Sequence, residues 1–373
     1  MIYFDNAATT GHKPQSVINS LNYALKYLSA NPGRSGHTLS QNSALTVFNS
    51  RKKVSEYFNS DGEETVVFTS NCTASINYVL KGVLTQNDHV IISDLEHNAV
   101  MRPLVAMNYN FTVATVSLEN DDQTIENFEK AIKPNTKMIF CTAASNVIGK
   151  IPPLLKIGEL CRRKGILFGV DAAQAAGVLP IDMKLMNIDF LCVAAHKGLY
   201  CPMGLGILIA RVPITETIIQ GGTGTDSINY AQPTILPEML ESGTVNLPAI
   251  ASVGAGIDFV SSIGDKVYNY ETGLVKRLYN NLVEYGIKFY TNPNDRGYAP
   301  VICFNVADIP SEQVADTLNK KGFALRAGLH CAPIAHKKIG TVKQGAVRFS
   351  PSVFNKIHEV DLLVKEIKNI KKY

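Results

Sequence analysis

The sequence alternates short apolar runs with longer segments in which apolar residues recur every three or four positions. One such segment begins behind Pro14, with apolar positions at Val17, Leu21, Ala24 and Leu28. A second, longer helix is predicted for TLSQNSALTVFNSRKKVSEYF. Runs with the length of buried strands are TVVFTS, HVIISD, FTVATVS, KMIFCTA, GILFGVD, IDFLCVAA and LGILIA. Continuous apolar strands between helices predict an α/β fold with a mostly parallel sheet that is covered on both faces.

The pattern changes after GTVNLPAIASVGAGIDF, where charged residues become more frequent and a long helix follows. A large sheet domain is therefore expected over residues 14–250, and a smaller α+β domain with VICFNVA and GAVRFSPS over residues 251–373. Residues 1–13, which contain YFDNAATT, are expected to pack near the functional site. The basic end VKEIKNIKKY predicts a terminal helix, because its lysines suit the negative end of the helix dipole.

Composition narrows the class of protein. A chain of 373 residues with 46% hydrophobic and 18% charged residues is typical of a folded protein with two domains or one large one. The net charge of +4 is too small to indicate a nucleic-acid partner. The start MIYFDNAATT lacks the features of a signal peptide. No apolar run approaches the roughly 20 residues that a membrane span needs, so no membrane association is expected.

The seven cysteines are scattered and form no C-x-x-C pair. This spacing argues against a disulfide framework and against a zinc cluster, so we expect no metal site and a cytoplasmic protein. Most of these cysteines are expected to be small core residues. Cys331 differs, because RAGLHCAP places it beside His330 and five residues after Arg326, and nearby positive charge in a partly exposed loop stabilises a thiolate. The alternative is an unreactive, half-buried loop thiol.

Ligands of open α/β sheets bind beyond the carboxyl ends of the strands. Asp171 ends the run GILFGVD, and His196 and Lys197 follow the run IDFLCVAA. The carboxylate and the amine fit pyridoxal phosphate, whose aldehyde needs a lysine for its Schiff base and whose ring nitrogen needs an anion to stay protonated. Taken singly, a strand-end aspartate also suits a helix cap, and a lone lysine is normally solvated.

Other strand ends carry further candidates for contact with this cofactor. The pattern suggests that His97 stacks on the ring, Asn146 touches its edge and Gln174 reaches its hydroxyl. The phosphate suits the start of the helix predicted in TSNCTASIN, where free backbone N–H groups are joined by the hydroxyls of Thr73 and Ser75.

Together these motifs resemble the cysteine desulfurase and selenocysteine lyase branch of the class V aminotransferase family. That family binds pyridoxal phosphate in an aspartate-aminotransferase-like fold of type I. The similarity runs nearly the whole length of the chain. The matching segments are YFDNAATT, ANPGRSGHTLS, SNCTAS, LEHNA, ASNVIG, VDAAQA, AAHKGLYCPMGLG, ESGTVN, RAGLHCAP and AVRFSPSVFN.

The resemblance implies roles for individual residues. The implied catalytic residues are Lys197 as Schiff-base lysine and base, Cys331 as sulfur acceptor, and His97 as proton shuttle. The implied cofactor contacts are Cys72, Thr73, His97, Asn146, Asp171, Gln174, His196, Lys197 and, offered by a second subunit, Thr244. The implied substrate contacts are Arg348, Asn146, Ala8 and Arg34.

Several positions depart from the family pattern. Ala194 stands where a serine usually binds the phosphate. Asn71 and Ala74 replace a glycine and an acidic or polar residue of the phosphate loop, and Cys201 replaces a glycine after the lysine. These changes concern the grip on the phosphate and the choice of substrate.

The resemblance implies a cysteine desulfurase that converts L-cysteine to L-alanine and leaves the sulfur on Cys331 as a persulfide. It further implies that Arg326 and His330 favour the thiolate, that the loop moves to a sulfur-acceptor protein, and that the active unit is a homodimer. Alternatives that remain open are a selenocysteine lyase, a carbon–sulfur β-lyase or an aminotransferase of the same fold, and a non-catalytic scaffold. A nicotinamide dehydrogenase is disfavoured, because no G-x-G-x-x-G follows the first strand.

Overall fold

The computed structural model describes residues 1–370, and a seven-stranded sheet forms its centre. A short strand, β1 (Ile2–Tyr3), precedes the strands of this sheet, which are β2 (Val66–Thr69), β3 (His89–Ser93), β4 (Asn110–Ala114), β5 (Thr136–Thr142), β6 (Leu167–Asp171), β7 (Phe190–Ala194) and β8 (Gly206–Ala210). The order is β2–β8–β7–β6–β5–β3–β4. The strands from β4 to β7 are parallel, and β8 is antiparallel to both of its neighbours. The predicted strands and the mostly parallel sheet are thus confirmed.

Helices cover both faces of this sheet. They are α1 (Gln15–Tyr27), α2 (Thr38–Phe58), α3 (Cys72–Val83), α4 (Asn98–Ala106), α5 (Asp121–Lys130), α6 (Leu154–Lys164) and α7 (Leu247–Ile263). Successive strand residues enter different cores, because side chains alternate across a sheet. Ile139 packs in the core under α1, α2, α6 and α7, whereas Phe140 packs in the core under α3 and α4. Burial on both faces explains why the inner strands β6, β7 and β8 are apolar along almost their whole length, whereas the edge strand β4 is partly exposed.

The remaining residues form a smaller α+β part with its own apolar core. Its elements are α8 (Lys266–Leu282), β9 (Lys288–Phe289), β10 (Ile302–Asn305), α9 (Ser311–Lys320), β11 (Phe323–Ala324), α10 (Pro333–Lys338), β12 (Val347–Phe349) and α11 (Ile357–Ile370). Strand β10 pairs antiparallel with β12 and β9, and β11 pairs with β1. The predicted terminal helix is present as α11 up to Ile370, and residues 371–373, over which the prediction also extends, lie outside the described residues.

The expected domain boundary near residue 250 falls inside α7. This helix is continuous over Leu247–Ile263 and packs against α1 and α2 of the large sheet part. The first helical residue in the apolar core of the smaller part is Leu274, which lies in α8. We therefore propose that the boundary lies at the turn Gly264–Asp265 between the two helices, where the chain leaves one core for another.

The first residues of the chain connect the two parts. Strand β1 pairs in parallel with β11, and Phe4 is buried in the core of the smaller part. Ala7 and Ala8 then reach the carboxyl edge of the large sheet. The opening segment therefore brings groups from the smaller part to the place where the strands of the large sheet end.

Across residues 1–370, no single helix is both long enough and apolar enough to cross a membrane. The pair Leu247–Ile263 and Lys266–Tyr285 meets those limits of length and composition only when taken together, and the two helices meet at a bend of 72°.

A buried carboxyl in α8 gives a stability prediction. Glu271 is 4% exposed, and burial raises its pKa to about 8, although a backbone hydrogen bond from Val353 opposes the shift. The native state therefore keeps a proton that the unfolded chain loses above its ordinary carboxyl pKa. Stability from this group is full below about pH 4.5 and is lost as the pH rises towards 8. Glu271→Gln is expected to stabilise the protein at neutral pH.

The test compares urea unfolding of the wild type and Glu271→Gln at several pH values. The advantage of the variant should grow with pH by up to about 1.4 kcal/mol per unit between roughly pH 5 and 8. Exposed Glu284 provides the control, since Glu284→Gln should show no such growth. A constant difference at every pH would mean that Glu271 is ionised in the native protein.

Candidate active site

A cavity of about 220 Å³ lies at the carboxyl edge of the parallel strands. It brings together residues that are far apart in the chain. The predicted site residues that line it are Ala8, Cys72, Thr73, His97, Asn146, Asp171, Gln174, His196, Lys197 and Arg348. Cys331, Arg34 and Thr244 are not among its lining residues.

Asp171 and Lys197 share this cavity because β6 and β7 are neighbouring parallel strands. Asp171 is 4% exposed, and its Oδ1 accepts hydrogen bonds from the Ala173 N–H at 2.9 Å and the Cys72 thiol at 3.6 Å. Burial lowers the pKa of the Lys197 amine; the Asp171 carboxylate opposes this shift and the Arg348 guanidinium reinforces it. The amine therefore gives up its proton more easily than a solvated lysine, as a base or nucleophile requires.

The opening segment holds the turn that carries Lys197. The His196 carbonyl accepts hydrogen bonds from the Thr10 N–H at 3.3 Å, the Thr10 hydroxyl at 3.0 Å and the Lys13 ammonium at 3.3 Å. The same turn packs so closely that a Cβ on Gly198 would lie 2.1 Å from the Ala176 carbonyl oxygen. The hydrogen bonds to the His196 carbonyl and the close packing of Gly198 thus fix the position of Lys197.

The His196 ring is neutral in this setting. Its Nδ1 lies 3.0 Å from the Thr9 hydroxyl, and burial lowers its pKa to about 4, with a further contribution from Lys197 and Lys13. A neutral imidazole at the cavity wall can donate a hydrogen bond to an anion without adding a charge.

Helix α3 begins at the cavity, as the sequence predicts for the phosphate-binding segment. Asn71 caps it, because its Oδ1 accepts a hydrogen bond from the Ala74 N–H at 2.9 Å. Thr73 is exposed at this end of the helix, so its hydroxyl and the first backbone N–H groups are accessible to an anion. The expected contribution of Ser75 is wrong, because its hydroxyl is fully buried and lies 2.8 Å from the Thr69 hydroxyl.

His97 caps the next helix on this edge, α4. Its Nδ1 accepts a hydrogen bond from the Ala99 N–H at 3.0 Å, and burial lowers the pKa of the ring. A neutral ring whose Nδ1 accepts must carry its proton on Nε2. In this arrangement the ring presents its Nε2–H as a donor, and stacking on the cofactor and the shuttling of protons both stay predictions for His97.

Arg348 is an almost completely buried cation, with 1% exposure. Its Nη2 binds the Asp5 carboxylate at 2.6 Å, and its Nη1 donates to the Asn146 backbone carbonyl at 3.1 Å. Its Nε has no hydrogen-bond partner within residues 1–370. Buried N–H donors normally have partners. This guanidinium can therefore still donate a hydrogen bond to an anionic group.

The loop around Cys331 lies beside the cavity. Cys331 is the exposed cysteine of the chain, whereas the other six are buried as predicted. Its Sγ lies 3.5 Å from the Arg326 Nη2, and Arg326 lines the cavity. The Asn98 N–H donates to the Cys331 carbonyl at 2.7 Å, and the Asn146 amide donates to the His330 carbonyl at 2.7 Å. These bonds dock the loop against the large sheet part.

One expectation for this loop is wrong. His330 is 2% exposed, and burial lowers its pKa to about 2, with Arg348 adding to the effect. The ring is therefore neutral and supplies no positive charge to the Cys331 sulfur. The positive neighbour of the sulfur is Arg326.

Comparisons with known proteins give the family. The family model for aminotransferase class V matches residues 2–363. The chain belongs to the class-V aminotransferase family. It is 32% identical to a "Probable cysteine desulfurase" of Pyrococcus abyssi over 100% of this chain and 94% of the relative. It is 30% identical to a "Cysteine desulfurase" of Haloferax volcanii over 98% of this chain and 88% of the relative.

A solved structure gives the same result at the level of the fold. The apo structure of a cysteine desulfurase from Thermococcus onnurineus matches with a TM-score of 0.89 and 30% identity, covering 100% of this chain and 94% of that chain. The type I fold that the sequence resemblance implied is therefore confirmed for this class-V aminotransferase.

Arg34 and Thr244 lie outside the lysine cavity of their own chain. Arg34 lines a separate cavity of about 460 Å³, and its Nη2 donates to the Gly222 carbonyl at 2.5 Å. The same nitrogen lies 3.4 Å from the Gly243 carbonyl oxygen, next to exposed Thr244. These two residues are therefore close to one another but apart from Lys197.

The departures from the class-V pattern have local explanations. Ala194 lines the cavity without a hydroxyl, and Asn71 uses its side chain to cap α3. Cys201 is fully buried, and burial raises the pKa of its thiol to about 12. Cys201 is therefore a core residue rather than a second reactive thiol.

The sequence interpretation missed residues whose contribution depends on distant partners. Asp5 pairs with Arg348, Lys13 binds the His196 carbonyl, and Glu96 accepts from the Thr142 N–H at 2.8 Å in the strand-end region. Burial raises the pKa of Glu96 to about 8. Asp5 lies in the opening motif YFDNAATT and Glu96 in the motif LEHNA, which were the available signals, whereas Lys13 lies in none of the quoted motifs.

Proposed function

We propose that this class-V aminotransferase is a pyridoxal-phosphate-dependent cysteine desulfurase. The observation that supports the proposal most strongly is the position of Cys331. The exposed thiol lies 3.5 Å from the guanidinium of Arg326, and Arg326 lines the same cavity as Lys197. Arg326 therefore borders both the cavity with the lysine that suits the cofactor and the cysteine that suits sulfur transfer.

The cavity has the chemistry that pyridoxal phosphate requires. A buried carboxylate, Asp171, lies in the same cavity as Lys197, whose pKa is lowered by burial. The bound cofactor would supply an electron sink for the bonds at the substrate Cα. Lys197 would hold its aldehyde carbon, Asp171 its ring nitrogen, and His97 one face of its ring. The remaining proposed contacts are Cys72 through its backbone, Thr73, Asn146, Gln174, His196 and, from a second subunit, Thr244.

Arg348 is the proposed partner of the substrate carboxylate. Its buried Nε lacks a partner within the described chain, and a guanidinium binds a carboxylate through two parallel hydrogen bonds. Ala8 and Asn146 line the same cavity as Arg348 and would border the substrate. Fixing the carboxylate in this way orients the bonds at Cα.

Lys197 and Cys331 would then divide the chemistry. The Lys197 amine accepts the Cα proton at Nζ and later returns a proton to the product. The Cys331 thiolate attacks the sulfur of L-cysteine, so one S–S bond forms while the Cβ–S bond breaks, and the bond electrons remain on carbon. L-cysteine and the Cys331 thiol give L-alanine and the Cys331 persulfide, which balances without an external oxidant. An acceptor protein would collect this sulfur, in a reducing compartment such as the cytoplasm.

The test measures alanine and sulfide released from L-cysteine in the presence of a thiol. The wild type should form both in equal amounts, whereas Cys331→Ser should retain the colour of the cofactor and lose alanine formation. An aminotransferase would instead need a keto acid and would not depend on Cys331. Full desulfurase activity in Cys331→Ser would remove the assigned nucleophile, and higher activity with L-selenocysteine would assign a selenocysteine lyase.

We also propose that the active unit is a homodimer. Arg34 and Thr244 do not line the Lys197 cavity of their own chain, and the segment between Gly222 and Gly243, whose end carbonyls Arg34 contacts, carries exposed large apolar side chains. Ile228 is 92% exposed and Ile235 is 74% exposed, so this segment offers apolar side chains that a partner can cover. A second copy would bury them and receive Arg34 and Thr244 at its own cavity. Sedimentation at assay concentration should show a dimer; an active monomer would contradict the proposal.

A further inference from the structure

Behind the Cys331 loop, three buried side chains form a continuous line. His330 Nδ1 lies 3.1 Å from His336 Nε2, and His336 Nδ1 lies 2.6 Å from the Thr341 hydroxyl. The other nitrogen of His330, Nε2, lies 3.3 Å from the Arg326 carbonyl oxygen. His336 and Thr341 are 0% and 2% exposed and do not line the cavity.

The carbonyl at one end fixes the direction of every bond in this line. A carbonyl only accepts, so His330 carries a proton on Nε2 and accepts at Nδ1 in its neutral form. His336 must then donate from Nε2 and accept at Nδ1, and the Thr341 hydroxyl must donate. Both rings are neutral because burial lowers the pKa of His336 to about 4 and that of His330 to about 2, the latter helped by Arg348 and Arg326.

The line ends on the residue that contacts the reactive sulfur. The Arg326 carbonyl accepts from His330 and from the Arg348 N–H at 2.8 Å, while the Arg326 guanidinium lies 3.5 Å from Cys331 Sγ. His330 and Cys331 have φ values of 49° and 56°, in the left-handed region that non-glycine residues avoid. Such a backbone persists only where the surroundings restrain it.

We infer that His336 and Thr341 are positioning residues for sulfur transfer: through His330 they hold Arg326 where it stabilises the Cys331 thiolate. This inference rests on the proposed function, since it assigns the line to the reactivity of Cys331. Each residue of this line donates one hydrogen bond to the next. The position of Arg326 should therefore depend on which nitrogen of His336 a substitution retains, and not only on the volume of the side chain.

Two substitutions of His336 separate the contribution of the Nε2 donor from that of the Nδ1 acceptor. In His336→Gln the amide nitrogen replaces Nε2 and keeps the donor to His330. In His336→Asn the shorter amide replaces Nδ1 and can reach only Thr341. At position 341, Thr341→Ser keeps the hydroxyl donor and Thr341→Val removes it at nearly constant volume. Each pair thus contains a conservative variant and a disruptive one.

The experiment measures the rate at which iodoacetamide alkylates Cys331 in the holoenzyme, before any substrate is added. His336→Asn and Thr341→Val should react more slowly, His336→Asn by about tenfold, which corresponds to the loss of one buried hydrogen bond. His336→Gln and Thr341→Ser should remain close to wild type. With L-cysteine, the disruptive variants should lose kcat and keep KM.

Equal alkylation rates in the two members of each pair would overturn the inference. If His336→Asn fails to fold, the position 341 pair decides alone. Alkylation requires no desulfurase chemistry, so a failure of the proposed function appears instead as absent alanine from L-cysteine in the wild type.

Discussion

Lys197→Ala is expected to eliminate alanine formation from L-cysteine and to remove the covalent attachment of the cofactor. The amine combines two tasks, because it is the point of attachment and the base whose pKa burial lowers. Loss of a positioned base alone costs roughly 10²- to 10⁴-fold in rate, and loss of the attachment adds to that. The measurement is alanine release together with visible absorbance of the purified protein.

Lys156→Ala is the control for this experiment, since Lys156 forms a surface ion pair with Asp122 and neither residue lines the cavity. That variant should keep its colour and its activity. A Lys197→Ala protein that still holds the cofactor covalently would show that another lysine carries it.

Asp171→Asn should have the second largest effect. The amide preserves the shape of the side chain and can still accept from the Ala173 N–H, so the fold should survive. It removes the negative charge expected at the ring nitrogen, and the loss of one preorganised electrostatic contact costs about 10²- to 10³-fold in kcat. The pKa of Lys197 should fall further, because the Asp171 carboxylate is the charge that raises it.

Asp189 offers a matched control on the same sheet. Its carboxylate accepts from the Phe168 N–H at 2.8 Å, at the opposite end of β6 from Asp171. Asp189→Asn should leave kcat unchanged with cofactor at saturation. A wild-type kcat in Asp171→Asn would show that the ring nitrogen is not paired with this carboxylate.

The sequence was sufficient to predict the large sheet and the residues at its carboxyl edge. Strands buried on both faces leave continuous apolar runs, so Asp171 and Lys197 stood out as the polar residues that follow such runs. Parallel pairing of β6 and β7 then brings these strand ends together. Periodicity is a local property of the chain, which is why the strands could be predicted from the sequence, whereas the order of the strands, with β2 beside β8, was not predicted.

Side-chain direction and burial depend on how the folded chain packs and could not be predicted from periodicity. Ser75 was expected at the phosphate but faces Thr69, and His330 was expected to carry charge but is buried against His336. Asp5 contacts Arg348 across 343 positions of sequence. Only the Asp5–Arg348 contact joins distant segments; the other two pairs lie six positions apart. Which of their side chains is buried is decided by packing in three dimensions, which the pattern of apolar and polar residues does not encode.

The most direct test of the account is the mass of the peptide that contains Cys331 after the holoenzyme has reacted with one equivalent of L-cysteine. We expect this peptide to gain the mass of one sulfur atom while one molecule of L-alanine is released, and no other cysteine peptide to change. Alanine released with the sulfur on a different cysteine, or an unchanged Cys331 peptide, would contradict it.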